Sequence, residues 1–370
     1  MIRLLYGSTK DSDVQYIVQQ ELHIPTFLID RGDTKQLFLD SREYGVIADG
    51  NKDKTLELIK LEPFIEQARK VTAVSSTAAL AEVLFTEFKL MDEEVVVGNA
   101  LPLDVADHLR AKGATLLPTA DLYPERQQKT AAELDFMRSA MVRTQKAFTY
   151  IEQVLRDSTI DGAKIMYQGN VLTSEFLKWE VQLLLLREGL SLDDGLVISS
   201  ASQASMPHHS GEGELKANET IICDIFPRDR ATGYWADMTR TYVKGTPSSE
   251  ARQMYETVIA AQEAVFGVIK PGVTPDEIHA ATLGTFEAAG YDFSQDWITH
   301  RTGHSIGLDI HEAPSIETGV DTPLKEGHVF TVEPGLYHPE YGGVRIEDIV
   351  VVTGHGYENL TNYEKTLVST

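Results

Sequence analysis

The chain has 370 residues, with 33 Lys and Arg against 56 Asp and Glu, a formal net charge of −23. Such acidity argues against nucleic acid or an anionic membrane as a partner. A hydrophobic content of 42% is that of an ordinary globular protein, and one cysteine, Cys223, allows no internal disulfide, which fits a reducing compartment.

The first segment, MIRLLYGSTKDSD, lacks the apolar length of a signal peptide. The longest apolar cluster, VQLLLL at 181–186, is too short to cross a bilayer, so a soluble cytoplasmic protein is expected. TFLIDRGDTKQLFLD (26–40) reads as a hairpin around Arg31-Gly32-Asp33. KVTAVSS (70–76) and EEVVVG (93–98) are further strand candidates beside Ala/Leu/Glu-rich helical stretches. Residues 1–122 are therefore expected to form an α/β layer, and they hold no phosphate loop and no acid/base cluster.

LYPERQQKTAAEL (122–134) marks the expected boundary, with residues 123–370 forming the second domain. Thr130 and Glu133 make a capping box for a helix that continues at helical spacing through Met137, Met141, Phe148, Ile151 and Leu155. A helix is expected from TSEFLKWEVQLLLLREG and a long one from PSSEARQMYETVIAAQEAVFGVIKPG. Another starts at VTPDEIHAATLGTFEAAG, with Thr274 as N-cap, Pro275 at the first turn, Glu277 three residues on and Gly290 past the end. Segments 195–200, 220–226, 233–243, 328–337 and 343–353 read as strands. This half is α+β, with helices packed over a mostly antiparallel sheet.

Of eleven histidines only His23 and His108 precede residue 200, which points the chemistry at the second domain. THRTGHSIGLDIHE (299–312) has two readings. Gly303-His304-Ser305-Ile306-Gly307 fits a nucleophile elbow, whereas His300, His304 and His311 suit a metal. An elbow needs an apolar strand before it and a helix after it. Here the polar YDFSQDWITHRT precedes, and Ile306, Leu308 and Ile310 alternate afterwards toward Pro314, a strand pattern. The flanks rule against Ser305. For His304 and His311, seven apart, to reach one site the stretch must bend, with Gly307 as the expected place.

A metal site draws deprotonatable groups from several elements. Asp224 ends the apolar strand Ile221-Ile222-Cys223, where the thiol is expected to be inert, and Asp237 lies beyond the turn at Ala231-Thr232-Gly233. A hairpin would set these two acids facing each other, about 5 Å apart at Cβ. His304 is the imidazole candidate, Glu333 ends VFTVE before Pro334-Gly335, and Glu347 lies inside the apolar run GGVRIEDIVVV. A carboxylate in such a run is costly unless charge-paired or metal-bound. Four carboxylates and one imidazole suit Mn²⁺, Co²⁺, Fe²⁺ or Zn²⁺ in a two-ion site better than a structural zinc. Asp229, in the loop between Asp224 and Asp237, is a rival ligand in a turn where Asp is common anyway.

GYWADMTRTY, HRTGHSIGLDIHE, TVEPGLY and GVRIED, in this order after MPHH, resemble the pita-bread metallopeptidases, the family of methionine aminopeptidase, Xaa-Pro aminopeptidase and Xaa-Pro dipeptidase (prolidase). The likeness covers roughly residues 130–370, and the first 122 residues resemble, more weakly, the creatinase-like N-terminal domain of the proline-specific branch. It implies that Asp224 binds one ion, that Asp237 and Glu347 bridge two, and that His304 and Glu333 hold the other. Glu333 would also be the general base, His208 and His311 would contact substrate and intermediate, and Arg345 would assist near Glu347 or a substrate carboxylate. Asp224 and Asp237 stand 13 apart where many relatives have 11, and DIFP replaces the usual Asp-Leu-Gly, which implies a longer loop.

The function so implied is a Xaa-Pro aminopeptidase-like enzyme, carrying two divalent ions, Mn²⁺ or Co²⁺ foremost, with a hydroxide between them attacking the carbonyl before proline. The alternatives are a Xaa-Pro dipeptidase and, more remotely, a metal-free amidinohydrolase or binding module on the same fold. Proline-containing peptides would be substrates, and a homodimer is implied.

Overall fold

The computed structural model describes residues 1–51 and 53–369. Leu4 and Leu5, Phe27 to Ile29, and Leu37 to Leu39 are apolar on both strand faces, as a sheet covered on both sides requires. Their strands are β1 (Ile2–Gly7), β2 (Thr26–Asp30), β3 (Lys35–Leu39), β4 (Leu56–Lys60), β5 (Glu94–Val97) and β6 (Thr115–Pro118). They form one sheet in the order β4-β3-β2-β1-β5-β6 within the compact unit Met1–Arg126. Leu4, Phe27, Ile29 and Phe38 pack with α4 (Ser76–Glu87) and α5 (Leu103–Ala111). Leu5, Leu28, Leu37 and Leu39 face the opposite way, toward α1 (Ser12–Val18) and α2 (Ser41–Gly50). The hairpin of β2 and β3 stands where the sequence places it, pairing Leu28 with Leu37.

KVTAVSS is a correction: residues 70–75 form no strand. They join α3 (Glu62–Ala68) to α4, and the Ser75 hydroxyl caps α4 by accepting from the Ala78 N–H at 3.1 Å. Ala68, Ala79 and Val83 pack the two helices together, with Val71 against them. Of the β-branched residues here only Val71 serves helix packing, while Thr72 and Val74 are exposed, with no neighbouring strand to pair.

The second compact unit, Gln127–Thr370, opens with α6 (Ala131–Asp157). The Thr130 hydroxyl accepts from the Glu133 N–H, and the Glu133 carboxylate accepts from the Thr130 N–H at 2.7 Å. A small sheet of β7 (Thr159–Asp161), β8 (Lys164–Tyr167) and β9 (Asn170–Val171) precedes α7 (Ser174–Arg187). Then come β10 (Leu190–Ser191), β11 (Val197–Ser200), β12 (Thr220–Ile225), β13 (Arg228–Asp229), β14 (Met238–Lys244), α8 (Ser249–Val268) and α9 (Pro275–Ala288). The remaining strands are β15 (Gly303–Ser305), β16 (Glu312–Ile316), β17 (Val329–Val332), β18 (Gly335–His338), β19 (Gly342–Arg345), β20 (Asp348–Thr353), β21 (Gly356–Asn359) and β22 (Val368–Ser369).

Two sheets matter for the site, β11-β12-β14-β22 and β16-β15-β17-β20-β21. All their pairings are antiparallel except β14 with β22. Thr239 of β14 and Glu347 form an antiparallel bridge between them. α8 supplies Met254, Val258 and Ala261 to one core cluster with Val243, Leu336, Val344 and Ile346, and Val265 to another with Phe330, Val332 and Val350. One face of the sheets is thereby closed, and of the carboxylates discussed next Asp224 lies on β12 while Asp237, Glu333 and Glu347 flank strand ends. Among the described residues, no helix is long and apolar enough to cross a membrane.

Candidate metal centre

β12 delivers Asp224 at its end, opposite Thr239 of β14, and Ile225 pairs with Met238. Asp237, one residue before β14, is therefore diagonal to Asp224. The direct cross-strand pair expected from the sequence is corrected, because the loop through β13 shifts the offset. Positions two apart on a strand share a face, so both acids still point to the same side. Glu347 is set by Thr239: its N–H donates to the Thr239 carbonyl at 3.0 Å, and the Thr239 hydroxyl donates to Glu347 Oε2 at 2.7 Å. His304 lies in β15, and Glu333 follows β17 with its N–H donating to the Thr302 carbonyl at 2.7 Å. A Cβ on Gly303 would sit 1.8 Å from the Thr331 carbonyl oxygen, so the close approach of β15 to β17 demands glycine there.

Ligand atoms of Asp237, His304 and Glu347 lie within 4.8 Å of one another, all buried. His304 Nε2 is 3.6 Å from Asp237 Oδ2 and 3.5 Å from Glu333 Oε1. His304 Nδ1 stands 3.2 Å from the Ser305 carbonyl, which can only accept, so Nδ1 carries the proton and the Nε2 lone pair faces the space bounded by the carboxylates. Burial, and then neighbouring His311, lower the His304 pKa to about 3, which keeps the ring a neutral donor at physiological pH.

Asp224 Oδ1 and Asp237 Oδ1 are buried without a hydrogen-bond partner. Burial, followed by the charges of Glu347, Asp224 and Glu333, pushes the Asp237 carboxyl well above its ordinary range. Glu347 is raised likewise, by burial and then by Glu333 and Asp224. Glu333 is raised to about 7 by burial, against the opposing pull of Arg345. A knot of buried acids with orphaned oxygens and one imidazole lone pair is the donor chemistry of divalent cations, and the residues fit such ions.

Arg345, only 4% exposed, is committed inside the protein. Its Nη2 donates to Asp224 Oδ2 at 2.7 Å and its Nη1 to the Tyr337 hydroxyl oxygen at 2.7 Å. Its charge also acts on Glu347, near which the sequence places it, and its direct carboxylate partner is Asp224. His300, one of the metal candidates, is spoken for as well. Its Nδ1 donates to the Arg301 carbonyl at 2.7 Å, which leaves Nε2 to accept from Tyr337 at 2.9 Å. Tyr337 and Thr239 stand inside segments the sequence singles out, but neither residue carries a signal of its own there.

His311 packs edge-on to His304, ring centroids 4.3 Å apart. His208 is exposed and lies near enough to His300 and His311 for its charge to depress both. Ser305 is no nucleophile: its hydroxyl donates to the Pro314 carbonyl at 2.8 Å, and no helix follows. Cys223 is buried, and burial raises its thiol pKa.

Asp229 turns away from the cluster. It pairs with Arg143 and accepts from the N–H groups of Ala231 at 2.7 Å and Thr232 at 3.0 Å. Burial alone would raise its pKa, but these donors outweigh it and hold the carboxyl below the usual range. Its stabilisation is therefore complete above the unfolded carboxylate pKa, about 4, and is lost as pH falls through the lower folded value. Asp229→Asn should lower the melting temperature at pH 7, with the gap to wild type narrowing below about pH 4. A gap that stays constant from pH 7 to pH 3 would refute the assignment.

One imidazole and four carboxylates converging from β12, the Asp237 turn, β15 and the ends of β17 and β19 define a metal-dependent hydrolase type of centre. The profile of metallopeptidase family M24 matches residues 135–354, well over half of the chain. The chain belongs to this family and has its pita-bread fold. It is 38% identical over 185 residues to a probable dipeptidase PepE of Mycobacterium bovis, covering 50% of this chain and 48% of that protein. Against a Xaa-Pro dipeptidase of Lactobacillus delbrueckii it is 32% identical over 240 residues, 65% of this chain and 61% of the relative. The matches thus span about half to three-fifths of the curated relatives' length. In structure it resembles the prolidase of Pyrococcus furiosus, with a TM-score of 0.78 at 25% identity over 98% of this chain and 97% of that one.

Proposed function

We propose that the protein is a two-metal peptidase that cleaves the bond before proline in short peptides, with free Xaa-Pro dipeptides as its preferred substrates. The observation that carries the metallopeptidase reading is the convergence of Asp237, His304 and Glu347, with Asp224 and Glu333 beside them and two carboxylate oxygens orphaned. Asp224, Asp237, His304, Glu333 and Glu347 would hold the ions, Mn²⁺ or Co²⁺. Bound there, the ions would supply Lewis acidity and lower the pKa of a water. Glu333 would take a proton from that water and pass it to the leaving proline nitrogen. His311 and His208 would donate hydrogen bonds to substrate carbonyl oxygens. Arg345 would hold the Asp224 carboxylate in its direction through the 2.7 Å contact.

The choice of dipeptides over the longer peptides of an aminopeptidase is supported by Arg301 and by the names of the relatives. Arg301 is half-buried, with a contact of 3.5 Å to Ser315 Oγ and no ion pair among the described residues. Ser315 is the register partner of His304, so the guanidinium lies beside the centre. A cation so placed suits the free carboxylate of a dipeptide. The aminopeptidase reading, foremost from the sequence, becomes the second one. The N-terminal unit is read as a creatinase-like domain, and the assembly as a homodimer.

Initial rates of the Mn²⁺-loaded protein on Ala-Pro, Ala-Pro-Ala and Pro-Ala test this. Ala-Pro should be cleaved fastest and Pro-Ala not at all. Arg301→Met should raise KM for Ala-Pro by roughly tenfold or more, and less for Ala-Pro-amide. Cleavage of Ala-Pro-Ala without Ala-Pro would decide for an aminopeptidase, and no turnover of either would sink the peptidase reading.

A further inference from the structure

Glu312, next to His311, turns its carboxylate back into the protein. Oε1 accepts from the backbone N–H groups of Leu308 at 3.0 Å and Asp309 at 3.3 Å, and Oε2 takes Lys129 Nζ at 2.6 Å. The Lys129 and Glu312 side chains are 1% and 7% exposed. A buried ion pair contributes little net stability, because desolvation offsets most of the attraction, so fixing a geometry is the better-attested use.

What this pair fixes is the segment 307–311. The chain bends there between β15 and β16, whose register slips between His304 and Ser305. Gly307 lies on the pair itself: a Cβ would meet Glu312 Oε1 at 2.7 Å and Lys129 Cε at 2.8 Å. Any larger residue here would have to displace the pair. From the other side Trp235 grips the same segment, its N–H donating to the Gly307 carbonyl at 2.9 Å and its indole Nε1 to the Leu308 carbonyl at 3.1 Å. Lys129 is itself anchored, since its N–H donates to the Gly327 carbonyl at 2.8 Å and it directly precedes the Thr130 cap of α6. The loop ends on His311, whose ring abuts His304.

We propose that Lys129 is a positioning residue: by holding the Glu312 carboxylate buried under the amides of Leu308 and Asp309, it sets the loop that aims His311 at the substrate. Without the ammonium, the buried carboxylate would lose this charge partner, at a cost relieved by rotation toward water. The two amides would then lose their acceptor, and His311 its fixed direction. The catalytic half of this proposal rests on the reading of His311 as a substrate contact, and the loop half does not.

The test uses the metal-loaded full chain with Lys129→Met, Lys129→Arg, Glu312→Gln, His311→Ala and the double variant Lys129→Met/His311→Ala. Lys129→Met should lower kcat on Ala-Pro by roughly tenfold or more with metal content unchanged. In the His311→Ala background the same replacement should change kcat by less than about twofold, because coupled residues are not additive. Lys129→Arg should recover most of the rate. Glu312→Gln keeps an acceptor for the amides and serves if Lys129→Met does not fold, its effect likewise vanishing in the His311→Ala background. Equal losses with and without His311 would overturn the proposal, since that is what a purely structural role gives. Amide exchange at Leu308 and Asp309, measured without substrate, should accelerate in Lys129→Met. If wild type cleaves no Xaa-Pro peptide, the function fails and exchange decides the positioning alone: unchanged protection at these two amides overturns it.

Discussion

Glu347→Gln is expected to reduce Xaa-Pro hydrolysis by at least about a hundredfold and to strip Mn²⁺ from the dialysed protein. Glu347 is 2% exposed and shares its pocket with Asp237 and His304. Without ions, these acids repel one another in a desolvated space. Burial raises Glu333 to about 7, so the metal-free folded state holds more protons than the unfolded chain between about pH 4 and about pH 7. Metal-free stability therefore falls as pH rises through that window. Removing one charge should relieve the strain: metal-free Glu347→Gln should melt above metal-free wild type at pH 7.5. Wild type should gain more on adding Mn²⁺, because only a protein with an intact site is stabilised by binding. Metal analysis and melting with and without chelator read both halves. A variant that keeps its metal and its turnover would remove Glu347 from the site.

Arg240→Met should cost about 3–5 kcal/mol of folding stability, the largest structural effect expected in the second unit. Arg240 is 1% exposed, and its guanidinium serves five acceptors. Nη2 donates to Asp348 Oδ1 at 2.8 Å and to the Tyr363 carbonyl at 3.0 Å. Nη1 serves the carbonyls of Thr239 and Glu347 at 2.9 and 2.8 Å, and Nε that of Glu364 at 3.2 Å. Methionine fills similar volume but leaves Asp348, 1% exposed, with Lys365 as its remaining cation. Lysine should rescue poorly, because a point charge cannot satisfy a planar fan of acceptors. Urea unfolding measures the loss, and a change below about 1 kcal/mol would contradict it. Because Arg240 holds the backbone of both Thr239 and Glu347, the variant should also weaken metal retention.

Local rules account for what was legible beforehand. The capping boxes at Thr130 and Thr274 form as their spacing demands, since the partners are three residues apart and need no tertiary context. The β2–β3 hairpin is equally local. KVTAVSS shows the limit: β-branched residues signal a strand only where a neighbour exists to pair with. Asp224 and Asp237 show another, because a loop of unusual length converts an expected direct pair into a diagonal one. At Gly307 the sequence foretells a bend, whereas the crowding by Lys129, 178 residues away, is a fact of packing alone.

By itself the sequence determined the class of elements, the acidic surface, the segments that carry the chemistry and their likeness to a family of metal-dependent peptidases. Those follow from residue types and short spacings. Only the tertiary structure decided which acids meet, that Arg345 spends its charge on Asp224, that His300 binds Tyr337, and that Lys129 reaches Glu312. Each of these joins residues far apart in the chain, and burial gives each its weight. In water a lysine and a glutamate, or two carboxylates, barely influence one another, and between packed strands the same groups dictate geometry.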